Sequence, residues 1–271
     1  MSSANDQPLI HPTAIIDPAA RLDPSIRVGP YAIIGAGVEM DANCVVGAHC
    51  VIEGPSTIGP GNTFHPFGRI GGAPQDKKYA GEDTSLVVGK DNMFREYVTL
   101  NRGTVQDRGE TTIGDDNWIM AYVHVAHDCI VGSHTILANT TNLAGHVTIS
   151  DWVILGGYTG VHQFCKVGAH AMTGVVSVVL HDIPPYVMAS GDSASPHGMN
   201  TEGLRRRGFD KERISQLRKA YKLLYRSSLS LEDAIDAIKK LCDDLPGNTQ
   251  SMADLKLMTD FLADATRGIV R

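Results

Sequence analysis

The stretch from Ile113 to Pro184 decides the fold. Divided into sixes it reads IGDDNW IMAYVH VAHDCI VGSHTI LANTTN LAGHVT ISDWVI LGGYTG VHQFCK VGAHAM TGVVSV VLHDIP. Every six opens on Ile, Val or Leu except the one that opens on Thr173. This period matches neither the stripe of an amphipathic helix nor the strict alternation of a long strand. It implies a parallel β-helix of hexapeptides, in which short strands meet at tight corners and each coil buries its apolar side against its neighbours.

The same lattice runs backwards through Phe64, Ile58, Ile52, Val46, Met40, Ile34, Val28, Leu22, Ile16 and Ile10, and forwards from Phe64 to Ile70. It resumes in phase at Val88, Phe94 and Leu100, and shifts phase only in the loop Gln106 to Thr112. The fifth place of the six holds mostly small or β-branched residues, among them Ala32, Val38, Cys44, Cys50, Val98, Val123, Cys129, Thr141, Val153, Cys165 and Ala171. A large aliphatic residue at the first place and a small one at the fifth fill a narrow triangular core. Gly, Asp and Asn crowd the remaining places, where corners demand unusual backbone angles. The fold expected is therefore mainly β, a left-handed parallel β-helix with a small C-terminal α-helical domain.

Outside the lattice the chain is informative in three places. The segment 76–85 leaves the scaffold as an insertion, and insertions from rigid repeats often carry function. The lattice is expected to stop near Asp182-Ile-Pro-Pro-Tyr, where two prolines interrupt pairing. After Gly191 helical periodicity takes over, with Asp210, Ser230 and Ser251 as expected N-caps. This divides the chain into a β-helix domain, 1–191, and a helical domain, 192–271. The first part of the helical domain is basic, from Arg205, Arg206 and Arg207 to Lys222 and Arg226. That is either a solvated face or a docking surface for an acidic partner.

Composition excludes several classes. A net charge of −6 over 271 residues does not indicate general nucleic-acid affinity. No apolar stretch is long enough for a membrane span. The N-terminus, MSSANDQPLIHPTA, lacks the pattern of a secretory leader. Four of the five cysteines fall on the fifth lattice place, as small buried hydrophobes would. Together these point to a cytoplasmic protein. No cofactor and no resident metal is expected.

The histidines carry the candidate chemistry. Seven of eleven lie within the quoted stretch, and none of the eleven occupies a first or fifth place. Three hexapeptides make one coil, so residues eighteen apart stack, about 4.8 Å from each other. His127 then stands below Gly145, beside His146, and Gly145 below Gln163, beside His162. His124 falls near the same corner. A histidine suits general-base work at neutral pH. Asp128 would fix the tautomer of His127, and the Gly145 N–H would face a developing oxyanion. No serine or cysteine elbow is present, so direct attack by a substrate hydroxyl, without an acyl-enzyme, is the simpler route. His11, His49, His65 and His134 read as surface residues.

The lattice together with QDKKYAGE (75–82), NRGTVQ (101–106), HVAHDC (124–129), LAGH (143–146), VHQF (161–164), PPYV (184–187) and NTEGLRRRGF (200–209) resembles the acyl-carrier-protein–UDP-N-acetylglucosamine O-acyltransferases, which begin lipid A synthesis. The resemblance covers nearly the whole chain. It implies transfer of an (R)-3-hydroxyacyl group from acyl carrier protein to the sugar 3-hydroxyl. It makes His127 the base, Asp128 its orienting partner and Gly145 the oxyanion donor. Gln75, Asp76, Lys78, His146 and Gln163 would hold the glucosamine end. His124 would lie near the phosphates and His162 near the acyl and pantetheine path. Asn200, Glu202, Arg206 and Arg207 would address the uridine, and Val175 would limit acyl length. It also implies a homotrimer with sites between neighbouring β-helices.

Other readings are a hexapeptide acyltransferase using coenzyme A or an amino sugar nucleotide, and a zinc hydratase using His124, His127, His146 and His162. Zinc would need three converging ligands and an open position. A purely structural scaffold would leave the histidines idle.

Overall fold

Strands as short as two residues suffice here because most strands hydrogen-bond to equivalent strands above and below. The computed structural model describes residues 9–245 and 247–271. The N-terminal stretch read for a leader falls largely on residues 1–8, outside the described residues. From Ile15 to Ser190 the chain winds a left-handed prism with three parallel faces. Among the described residues the faces hold nine, eight and ten strands, the last including one antiparallel strand at its end. Register follows the eighteen-residue spacing: Ile136 pairs Ile154, and Val125 pairs Leu143.

The first-place residues point inward. Ile52, Ile70, Leu100, Ile119, Leu137, Leu143 and Leu155 are fully buried. Each contributes roughly 1.5–3 kcal/mol by burial. Thr173 keeps its inward place because its hydroxyl accepts from Gly156 N and bonds to Thr159 Oγ1, both 2.9 Å away. The cysteines Cys44, Cys50, Cys129 and Cys165 are buried as expected. Burial pushes the Cys129 thiol up to about 12.

The three corners differ in what they display. Each turns on a residue of positive φ. One carries Tyr31, His49, Phe67, Tyr97 and Tyr122, whose rings stack about every 5 Å. A second carries Asp116, His134, Trp152, His170 and Tyr186. The third carries Asp128, His146 and Phe164. Behind the second corner lies a buried polar ladder that the lattice had reserved for small residues. The Asn62 Oδ1 accepts from Asn92 N and Nδ2, Asn92 Oδ1 accepts from Asn117 N, and Asn117 Oδ1 accepts from Thr135 N and Oγ1. The first two steps span thirty and twenty-five residues instead of eighteen, so the ladder holds this corner together across both insertions.

Three boundaries differ from the sequence reading. The second loop is shorter than Gln106 to Thr112, because Glu110–Ile113 is a strand paired with Ser85–Val88. The prism does not stop at the prolines. Pro184 and Pro185 sit at a corner, where no ladder N–H is required, and Val187–Ser190 pairs parallel to Met172–Thr173 before Ser195–Met199 returns antiparallel. Gly191 therefore begins a hairpin and not a helix.

Among the described residues four helices follow: α1 Thr201–Arg206, α2 Lys211–Tyr225, α3 Leu231–Asp243 and α4 Thr249–Ala263. Asp210 and Ser230 cap α2 and α3 as expected. Asn248, not Ser251, caps α4, and the Ser251 side chain is buried. Helix α1 was not foreseen; Asn200 caps it by accepting from Gly203 N. The bundle has its own core of Leu204, Leu217, Leu224, Ile238, Leu255 and Met258. Arg213 forks onto Asp254 at 2.7 and 2.9 Å, joining α2 to α4.

Candidate active site

Both insertions leave the prism at the His127 corner. The first runs between strands Arg69–Gly72 and Ser85–Val88, the second between Thr99–Asn101 and Glu110–Ile113. His127 follows in the next coil, between His124–Val125 and Ile130–Val131. The loops thus wall a cleft of about 790 Å³ lined by Gln75, Asp76, Lys78, Thr104, Gln106, Asp107, Ala126, His127, His146, Gln163 and Phe164. That volume is in the range of small-molecule sites.

At its floor, His127 Nδ1 lies 2.8 Å from Asp128 Oδ2. The two residues are adjacent in the chain. Asp128 turns its carboxylate back to the ring because its own φ is +59°. Its side chain is fully buried, which raises the cost of leaving any lone pair unmatched. Thr104 supplies that match, donating from N to Oδ1 at 2.9 Å and from Oγ1 to Oδ2 at 2.6 Å. The fixed carboxylate selects the tautomer with hydrogen on Nδ1, leaving Nε2 as the basic nitrogen. Gly145 stands against that edge as the eighteen-residue spacing predicts. A Cβ built there would meet His127 Cε1 at 2.5 Å and Nε2 at 2.7 Å. Among the described residues, the Gly145 N–H has no hydrogen-bond partner, while its neighbours Ala144 and His146 donate to Val161 O and His127 O.

His146 meets His127 edge to face, with ring centroids 5.0 Å apart, and stacks on Phe164 at 4.4 Å. Its Nδ1 lies 2.6 Å from Asp107 Oδ2. Candidate ligand atoms of His127, Asp128 and His146 fall within 4.8 Å of one another, but Asp128 Oδ2, His127 Nδ1 and His146 Nδ1 already hold hydrogen bonds to Thr104, Asp128 and Asp107. His124 and His162, the other histidines considered for zinc, are outside that cluster. His124 is held by Thr99 Oγ1 at 2.7 Å, and burial, with His127 nearby, lowers its pKa. His162 is exposed and bonds to Arg267 at 3.2 Å.

Of the residues expected from the sequence, His127, Asp128, Gly145, His146, Gln75, Asp76, Lys78 and Gln163 thus converge on one corner. Asn200, Glu202, Arg206 and Arg207 do not. Asn200 Nδ2 donates to His170 O, and the Arg207 guanidinium reaches His170 Nδ1 at 3.3 Å and covers Trp152, all on the second corner. Glu202 and Arg206 pair with each other nearby at 3.2 Å. Val175 is exposed beside Val176, at the corner that carries Tyr158 and Tyr122. Thr104, Gln106, Asp107 and Phe164 were missed as site residues. The quoted motif NRGTVQ contains two of them, and Asp107 is the next residue.

Known proteins resemble this chain over most of its length. Residues 182–270 match the family described as UDP N-acetylglucosamine O-acyltransferase, domain 2, and residues 110–145 match the bacterial transferase hexapeptide family. A protein of Verminephrobacter eiseniae named acyl-[acyl-carrier-protein]–UDP-N-acetylglucosamine O-acyltransferase is 57% identical over 81% of this chain and 82% of its own. One of the same name from Thiobacillus denitrificans is 58% identical over 77% and 78%. The crystal structure of UDP-N-acetylglucosamine O-acyltransferase from Moraxella catarrhalis superposes with a TM-score of 0.92 at 44% identity, covering 97% of this chain and all of that one (100%). Identity at this level over most of both chains places the chain in the family of acyl-[acyl-carrier-protein]–UDP-N-acetylglucosamine O-acyltransferases, and it is an acyltransferase.

Proposed function

We propose that this protein transfers an (R)-3-hydroxyacyl group from acyl carrier protein to the 3-hydroxyl of UDP-N-acetylglucosamine, without an acyl-enzyme. The observation that carries the reading is the His127 ring, tied at Nδ1 to a buried carboxylate and set at Nε2 against Gly145. His127 Nε2 takes the proton of the 3-hydroxyl as its oxygen attacks the thioester carbonyl. The oxyanion of the tetrahedral intermediate accepts from the Gly145 N–H. Asp128 stabilises the imidazolium so formed. Collapse breaks the C–S bond, and the imidazolium returns its proton to the departing thiolate. Direct attack is supported by the lining of the cleft: no serine or cysteine is among its residues, and the one hydroxyl, on Thr104, is committed to Asp128.

The glucosamine end would rest on Gln75, Asp76, Lys78, His146 and Gln163. Uridine contacts from Asn200, Glu202, Arg206 and Arg207, the phosphate contact from His124, the acyl-path contact from His162 and the acyl stop at Val175 belong to the same proposal. Because the uridine set and Val175 occupy other corners of the chain, the reading includes a homotrimer in which a neighbour faces the cleft. The exposed cations Arg205, Lys211, Arg218, Lys219, Lys222 and Arg226 suit an acidic carrier protein. Arg207 and Arg213 are half-buried, Arg207 against Trp152 and Arg213 paired with Asp254. The division into 1–191 and 192–271 and a cytoplasmic setting complete the proposal; among the described residues no helix is long and apolar enough to cross a membrane.

The test is transfer from hydroxyacyl carrier protein to UDP-N-acetylglucosamine. His127→Ala is expected to lower turnover at least ~10²-fold, the scale of a lost general base. A folded variant with near-normal turnover would remove His127 from this role.

A further inference from the structure

We infer that Asp107 is a positioning residue for the proposed reaction: its carboxylate holds His146 in place and keeps the His127–Asp128 pair exclusive. The inference rests on the proposed transfer and extends it to a residue outside the hexapeptide lattice.

Three observations carry it. First, the His146 Nδ1 to Asp107 Oδ2 separation of 2.6 Å is that of a charge-assisted hydrogen bond. With Phe164 against the ring face, this bond fixes the remaining rotation of the imidazole and leaves Nε2 as its free nitrogen. Second, Asp107 is placed from the same anchor as the catalytic carboxylate. Asp107 N and Gly109 N both donate to Thr104 O, at 3.3 and 3.0 Å, and Thr104 itself grips Asp128. Gly103 lets the loop close: a Cβ there would fall 2.0 Å from Glu110 N. Third, the other acceptor near His146 Nδ1 is Asp128 Oδ2, 3.9 Å away and already the partner of His127. Removing Asp107 leaves the His146 N–H one carboxylate to turn to, and a small ring rotation reaches it. Two histidines would then share one carboxylate, and His127 would lose part of what stabilises its imidazolium.

The role is read by kinetics on the full-length protein with hydroxyacyl carrier protein and UDP-N-acetylglucosamine. Asp107→Ala is expected to raise the KM for the sugar nucleotide about tenfold, the scale of one lost orienting hydrogen bond. It should also lower kcat severalfold. Asp107→Asn offers an oxygen to the same N–H, so its KM and kcat are expected within about threefold of wild type. In a His146→Ala background, Asp107→Ala should cost nothing further, because its effect passes through that ring. Wild-type kinetics for Asp107→Ala would overturn the inference. So would an undiminished loss in the His146→Ala background, or an Asn variant as impaired as the Ala variant. Wild-type turnover in the same assay tests the proposed function itself, so failure of that reading is separable from additivity of the two substitutions.

Discussion

Gly145→Ala puts the central geometry at risk with a single methyl group. The backbone at Gly145 does not have the positive φ that would exclude alanine, so the substitution acts through space alone. The new Cβ would lie 2.5 Å from His127 Cε1, 2.7 Å from Nε2 and 3.2 Å from Nδ1. Carbon atoms in contact prefer about 3.5–4.0 Å, so the ring must retreat by roughly 1 Å. It cannot do so and keep its 2.8 Å bond to Asp128, whose carboxylate is immobilised by Thr104. A displacement of about 1 Å at a reacting centre costs on the order of 10²-fold. Turnover should therefore fall by about that factor, while overpacking destabilises the fold by only about 1–3 kcal/mol. The measurement is kcat and KM by transfer assay, beside a thermal melt. Gly160→Ala is the control, since a Cβ there meets nothing within 4 Å, and it should leave both readings unchanged. Wild-type turnover in folded Gly145→Ala would refute the argument that His127 acts from this position.

Thr104→Val keeps the N–H to Asp128 but deletes the 2.6 Å hydroxyl donor to a fully buried carboxylate, and should cost about 1.5–3 kcal/mol in a denaturant titration along with about tenfold in kcat. His170 is half-buried between Trp152 and Tyr186, and burial, with Arg207 and Arg213 nearby, lowers its pKa to about 4 from 6.5. The folded state thus resists protonation that the unfolded chain accepts, so the stability from this group is complete above pH ~6.5 and should be lost progressively down to about pH 4, by about 3 kcal/mol, in melts that a His170→Gln variant would flatten.

What could be read from the sequence was whatever the lattice makes computable. The stacking of His127 under Gly145 follows from eighteen-residue addition alone, and the fold places the two in contact. The same arithmetic fails inside an insertion, where no period applies. That is why Asp107 and Thr104, which secure both histidines, were invisible although NRGTVQ had been singled out. The asparagine ladder escaped for the opposite reason. Asn62, Asn92 and Asn117 do occupy fifth places, but a polar residue there breaks the rule of small apolar side chains. Its compensation, a carbonyl or amide partner on each successive coil, is visible only when the coils are stacked. Pro184 and Pro185 misled because a proline ends a strand but is harmless at a prism corner.

The same ladder explains how a repeat scaffold can host a specific site. Each coil is stabilised by its neighbours, so an insertion is tolerated wherever the flanking strands still find their partners. Lengthening a loop costs little, because closure entropy grows only slowly with its length. The register of the coils must nevertheless be kept across the added residues. Asn62, Asn92 and Asn117 do this at one corner while both loops are released at another. Ser85–Val88 then pairs with Glu110–Ile113 across the second loop with no slip. His127 consequently arrives one coil later at an unperturbed corner, already roofed by Asp76, Lys78 and Asp107. Rigidity at the asparagine corner and variability at the histidine corner are two consequences of a single arrangement. Loss of the ladder should therefore disturb the cleft from across the prism, without any contact to a group that lines it.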